Sequence, residues 1–130
     1  MEYVAIVTVL ALLQYVWFGL QVGDARRRHQ VPAPVMAGAP EFERRFRIHQ
    51  NTLEQLALFL PALWMFAVRV NPLWAAGLGV VYLVGRFVYR AAYVEDPASR
   101  HNGFVITILP IAIMLVWVLV DAVIRLVQGS

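Results

Sequence analysis

The chain has 130 residues, 61% of them hydrophobic and 15% charged, with a net charge of +3 and a mean hydropathy of +0.66. That is too apolar for an ordinary soluble domain, so a single membrane domain over residues 1–130 is expected. The chain has no cysteine, which excludes disulfides and thiolate metal sites, and its three scattered His lack ligand spacing, so no metal is expected.

All eleven basic residues are Arg, and six of them fall between positions 26 and 47, beside apolar spans. Topology explains that placement better than nucleic acid does, so no nucleic-acid partner is expected.

The first helix is predicted from about Tyr3 to Arg28. Its apolar part, Tyr3–Val22, is about long enough to cross the hydrocarbon core. No basic stretch precedes it and no small-residue cleavage site follows it, so it reads as a retained span. Arg26, Arg27 and Arg28 end it and serve equally well as a topology signal or as part of a site. Residues 29–40, HQVPAPVMAGAP, form a loop, because three Pro and a Gly break any helix.

The second helix, about Pro40–Val70, is the informative one. Pro40 suits the first helical position, and Glu41 and Glu43 occupy the first turn, where carboxylates favour the positive end of the helix dipole. Arg47, Asn51 and Glu54 follow at i, i+4 and i+7 and share a face. Beyond Leu56 the helix is almost wholly apolar up to Arg69, with Pro61 expected to kink it. Charge at or just inside a membrane surface is costly, and it is usually functional.

Asn71-Pro72 supplies a cap and a first-position Pro for the third helix, about Pro72–Val94. The link is so short that helices two and three must be antiparallel neighbours. Tyr82, Arg86, Tyr89 and Tyr93 are spaced four, three and four apart, which puts them on one face. That polar stripe and the one on helix two therefore converge at the same end. An aromatic belt with snorkelling Arg is the plainer reading, but it does not require a shared face.

The loop VEDPASRHN leads to a fourth helix, about Arg100–Val127, kinked at Pro110. Asp121 and Arg125 near its end read as an exposed i, i+4 pair. The expected fold is an all-α integral membrane four-helix bundle. Its 1–2 and 3–4 loops hold most of the Arg and face the cytoplasm.

The converging stripes offer Arg, a carboxylate, an amide and two phenols. Arg takes carboxylates in bidentate fashion, Glu54 could hold an ammonium, and Asn51 a backbone amide. No Ser-His-Asp triad, glycosidase pair or phosphate loop is present. A small anionic, peptide-like ligand beside a greasy bundle suggests a conjugating enzyme at a membrane surface.

These residues resemble the MAPEG family, the membrane-associated proteins in eicosanoid and glutathione metabolism. Phe42-Glu43-Arg44, Arg47, Asn51 and Glu54 match its helix-two pattern, and Arg86-Phe87-Val88-Tyr89 with Tyr93 match its helix-three motif. Arg26-Arg27, with Gly38, Pro40 and Glu41, forms a third block, and the likeness covers nearly the whole chain. The resemblance implies a homotrimer that binds glutathione in clefts between subunits and acts on a lipophilic electrophile or hydroperoxide from the bilayer. It implies that Arg26, Arg47, Asn51, Glu54, Tyr89 and Tyr93 hold the tripeptide, with His49, Gln55 and Arg86 completing the binding set. Arg100 and Arg27 are the implied catalytic residues, Arg100 facing the sulfur. The implied location is a multi-pass position, in the inner membrane of a bacterium, with the site toward the cytoplasm. Gln55 stands where leukotriene-C synthase has a Tyr, and Ala57 where a Pro is common, departures that bear on the substrate.

Two other classes fit parts of the chain. A non-catalytic lipid-binding scaffold of the same fold would be expected to lose the Arg and Tyr retained here. A small multidrug transporter built around an intramembrane Glu would not want Arg47 and Asn51 on the face of Glu54.

Overall fold

A computed structural model describes residues 1–129. Four helices make up almost all of it: α1 (Glu2–Arg28), α2 (Pro40–Arg69), α3 (Pro72–Glu95) and α4 (His101–Gly129). A single 3-10 turn, Pro97–Ser99, lies within the expected 3–4 loop, where Asp96 accepts a hydrogen bond from the Ala98 amide through its side chain. Each long helix has the length and composition to cross a membrane. At 1.5 Å per residue, even the 24 residues of α3 reach about 36 Å, enough for the roughly 30 Å hydrocarbon layer.

The boundaries follow from local chemistry. Pro40 opens α2, as expected, after the extended Ala39. Asn71 Oδ1 accepts from the amides of Leu73 and Trp74 at 2.8 and 3.1 Å and so caps α3 directly after α2 ends. Helix α2 continues through Pro61, and α4 through Pro110.

Helices α2 and α3 form the central diagonal of the bundle. Helix α1 packs against both on one side and α4 packs against both on the other. The core is apolar and draws on all four helices, with Val7, Phe59, Leu63, Tyr82, Ile111 and Met114 at its centre. The Phe59 and Tyr82 rings stack at 3.8 Å. The outward faces stay greasy, as in Leu20, Val68, Trp74 and Leu119, which suits lipid rather than water. Deep in the bundle, Gln14 donates to the Leu83 carbonyl at 3.0 Å and pins α1 to α3.

At the far end, Asp121 is more than half of an exposed pair. It takes Arg125 at 3.1 Å and also Arg69 of α2 at 3.2 Å, while Arg125 donates to the Arg69 carbonyl. The sequence pattern showed only the i, i+4 partner because Arg69 arrives from another helix.

Helices α3 and α4 approach closely at two glycines. A methyl group on Gly85 would lie 2.7 Å from the Thr107 nitrogen, and one on Gly103 would overlap the backbone of Tyr89. Small residues let membrane helices approach in this way. Gly103→Ala is expected to lower stability by about 1–3 kcal/mol through forced backbone movement. Gly77 has open space around it, and Gly77→Ala should be neutral or stabilising by up to about 1 kcal/mol. Thermal unfolding of both variants in detergent checks the contrast, and equal midpoints would refute the close approach.

Candidate functional site

The two polar stripes meet where α2 begins and α3 ends. Arg86 of α3 is fully buried, and its Nη1 donates to Asn51 Oδ1 of α2 at 2.8 Å. Its guanidinium lies 4.4 Å from the centre of the Tyr89 ring. Tyr89 stacks on Tyr93 at 5.5 Å, one helical turn on. Arg100, just before α4, holds its guanidinium 6.0 Å from the Tyr93 ring and donates to the Pro97 carbonyl at 2.8 Å. Asn51, Arg86, Tyr89, Tyr93 and Arg100 thus form one continuous chain of contacts, running from the bundle interior to the surface.

Arg47 and Glu54 flank this chain on the exposed side of α2. Neither makes a hydrogen bond or an ion pair among the described residues. Glu54 and Arg100 both lie within electrostatic range of the Tyr89 phenol. The face therefore presents two cations, one carboxylate, an amide and two phenols, most of them free to take a ligand. Arg forks suit carboxylates, the carboxylate suits an ammonium, and the amide suits a peptide group.

The remaining candidates lie elsewhere. His49 stacks on Tyr15 of α1 at 4.2 Å. One residue advances about 100° around a helix, so His49 and Arg47 stand about 160° apart on α2. Arg26 donates to the carbonyls of Pro32 and Val35 and covers the Phe42 ring at 4.6 Å, so it shapes the 1–2 loop. Arg27 pairs with Asp24 at 3.2 Å, with 81% of its side chain exposed. Gln55 is buried, and its Oε1 has no hydrogen-bond partner. Arg26, Arg27 and His49 thus belong to the α1 side of α2, and the other set belongs to the α3–α4 side.

In the sequence Arg44 stands out only as part of the Phe42-Glu43-Arg44 block, without a role of its own. It donates to the Val94 and Glu95 carbonyls at 2.9 and 3.3 Å and so staples the end of α3 to the start of α2, beside Tyr93. Beyond that block, its signal in the sequence was its position a single turn before Arg47.

The family model for MAPEG matches residues 4–120. The chain belongs to the MAPEG family. Among similar proteins, sll1147 of Synechocystis, an uncharacterized protein, is 40% identical over 97% of this chain and 92% of its own length. Human microsomal glutathione S-transferase 2 is 42% identical over 77% of this chain and 68% of its own length. Guinea-pig leukotriene C4 synthase is 42% identical over 74% of this chain and 64% of its own length. This MAPEG chain is accordingly a multi-pass integral membrane protein, as its four apolar helices require.

The buried Arg86 makes a prediction about stability. Asn51→Ala would remove the hydrogen bond the guanidinium makes to another side chain and should cost roughly 1.5–3 kcal/mol. Arg47→Ala, on the exposed face, should change stability by no more than about 0.5 kcal/mol. Chemical or thermal unfolding in detergent would show the difference, and an Asn51→Ala midpoint equal to that of Arg47→Ala would contradict it.

Proposed function

We propose that this MAPEG protein is a glutathione-dependent transferase, with peroxidase capacity, acting on lipophilic electrophiles at the membrane surface. The observation that carries this reading is the pair of unpartnered charges, Arg47 and Glu54, beside Asn51, Tyr89, Tyr93 and Arg100. Glutathione offers carboxylates, an ammonium and peptide amides in a comparable span, and two of the similar proteins are named as a glutathione transferase and a leukotriene C4 synthase.

The binding roles follow from charge and reach. Arg47 holds a carboxylate, Glu54 the ammonium and Asn51 an amide, while the stacked Tyr89 and Tyr93 wall the cleft. Arg86 acts from below, holding Asn51 and Tyr89 in place. Arg26, Arg27 and His49 lie on the other side of α2, so they reach the same ligand only from a neighbouring copy. A cyclic homotrimer around α2, each subunit's α1 side facing the next subunit's α3–α4 side, supplies that arrangement. Gln55 is proposed to contribute from one turn beyond Asn51 on α2, its buried oxygen still able to accept a hydrogen bond.

The substrate's thiol reacts as thiolate. At an electrophilic carbon it forms a C–S bond while the displaced electron pair stays on the departing or neighbouring atom and takes up a proton. At a hydroperoxide it attacks the outer oxygen and breaks the O–O bond, releasing an alcohol and a sulfenic acid that a second glutathione converts to the disulfide and water. An ordinary thiol has a pKa of about 8.5, and lowering it by about two units takes about 2.7 kcal/mol of preferential thiolate stabilisation. Arg100, aided by Arg27 of the neighbouring copy, supplies that stabilisation in a partly dehydrated cleft. The electrophile enters from the bilayer along the apolar outer faces. The loops at this end face the cytoplasm of a bacterial cell, which places the cleft at the inner face of its membrane.

Calorimetry on the detergent-solubilised protein should show glutathione binding at millimolar concentrations or below, with native mass spectrometry showing trimers. No binding would remove the proposed chemistry, and only monomers or dimers would remove the shared cleft. Arg100→Ala should raise the pKa of the bound thiol and lower turnover at saturating glutathione, with little change in KM. Arg47→Ala should mainly weaken binding, by roughly 1.5–3 kcal/mol. Thiolate absorbance titrated against pH separates the two, and an unshifted thiolate in Arg100→Ala would overturn its role. A reporter fused to the C-terminus should lie outside the cytoplasm, and a cytoplasmic signal would reverse the topology.

A further inference from the structure

A second cluster of charge lies in the groove between α1 and α3, away from both free faces of α2. Arg45 reaches into it from α2 and donates to Gln21 Oε1 of α1 at 2.9 Å. Arg90 of α3 donates its Nε to the same oxygen at 2.8 Å. Two guanidinium groups thus converge on one neutral acceptor. Arg90 has no carboxylate partner among the described residues, and its terminal nitrogens make no hydrogen bond. The Arg45 Nε is buried without a hydrogen bond, and Glu41 Oε1, its ion-pair partner, is 3.7 Å away. That same oxygen is already held closely by Arg28. Positive charge therefore exceeds what the protein's own groups balance here.

The surroundings say what kind of anion fits. The Arg90 guanidinium sits 4.8 Å from the Trp17 ring, and Trp17 lies 6.0 Å from Phe87. Trp17, Phe87 and Leu20 are 43%, 48% and 67% exposed, which leaves an open apolar wall. Gln21, Arg45 and Arg90 each lie five to seven residues inside a helix end at the same side of the bundle. At 1.5 Å per residue that is about 8–10 Å below those ends, a depth near the headgroup boundary. Trp and Arg at this level, above an apolar wall, match a phosphate with an acyl chain beneath it. No free carboxylate stands beside Arg90 to receive a choline ammonium, so an anionic headgroup fits better than a zwitterionic one.

We infer that the α1–α3 groove is a binding site for an anionic phospholipid. Arg90 holds phosphate oxygens through its terminal nitrogens, Arg45 adds charge from behind, and the acyl chain lies along Trp17, Leu20 and Phe87. The site uses none of the residues assigned to glutathione.

Native mass spectrometry of the delipidated full-length protein, titrated with phosphatidylglycerol or phosphatidylcholine, tests this. Phosphatidylglycerol should bind in preference, and Arg90→Gln should weaken it about tenfold or more. Gln21→Glu keeps the side-chain shape and gives both Arg a carboxylate. It should weaken phosphatidylglycerol equally while leaving the lipid-free thermal midpoint unchanged or higher, which a folding defect could not do. Arg125→Gln, at the opposite end of the bundle, should bind lipid like the wild type. Equal phosphatidylglycerol binding by the wild type, Arg90→Gln and Gln21→Glu would overturn the site, as would equal binding of the two lipids by the wild type. Displacement of the lipid by millimolar inorganic phosphate would reassign the cluster to a soluble anion.

Discussion

A guanidinium sealed inside an apolar bundle is the constraint on which the rest of the structure depends. Arg86 has no exposed surface, and one of its nitrogens is answered by Asn51 while its plane rests on Tyr89. Removing such a charge from water is expensive unless it is paired or hydrogen-bonded, so the positions around it cannot drift. Asn51 is thereby fixed on α2 and Tyr89 on α3. The close approach of Gly103 to the Tyr89 backbone locks the same residue from the α4 side. Helices clamped this way hold Asn51, Arg86 and Tyr89 in fixed positions, which is what the proposed binding site requires.

That rigidity contrasts with the freedom of the outer groups. Arg47, Glu54 and Arg100 are exposed and flank these buried groups. The division suits the proposed role of holding a flexible peptide-like molecule. Buried groups set position, while long exposed chains adapt to the ligand and shed it. It also separates two kinds of Arg that the composition lumps together. Arg44 fastens α3 to α2 through backbone carbonyls and Arg26 organises the 1–2 loop, so neither is simply a topology charge.

The two ends of the bundle solve different problems. At the far end, Arg69, Asp121 and Arg125 neutralise one another to within a single charge and tie α2 to α4. At the near end, cations outnumber carboxylates along both the α2 face and the α1–α3 groove. An uneven distribution of this kind in so apolar a chain fits the proposals that anions meet the protein at one membrane surface.

The sequence by itself determined the class and most of the plan. Hydropathy and length fix four spans, Pro40 and Asn71-Pro72 mark where the second and third begin, and helical spacing puts Arg47, Asn51 and Glu54 on one face, with Arg86, Tyr89 and Tyr93 on another. These are short-range properties, set by a period of 3.6 residues and by local backbone chemistry. Tertiary structure alone decided which polar groups meet. That Arg86 is buried on Asn51, that His49 turns to Tyr15, that Arg69 joins Asp121 and that Gln21 gathers Arg45 and Arg90 all depend on contacts between residues 24 to 69 positions apart. No local pattern encodes such pairings, because the rotation of each helix is set by its packing against the others.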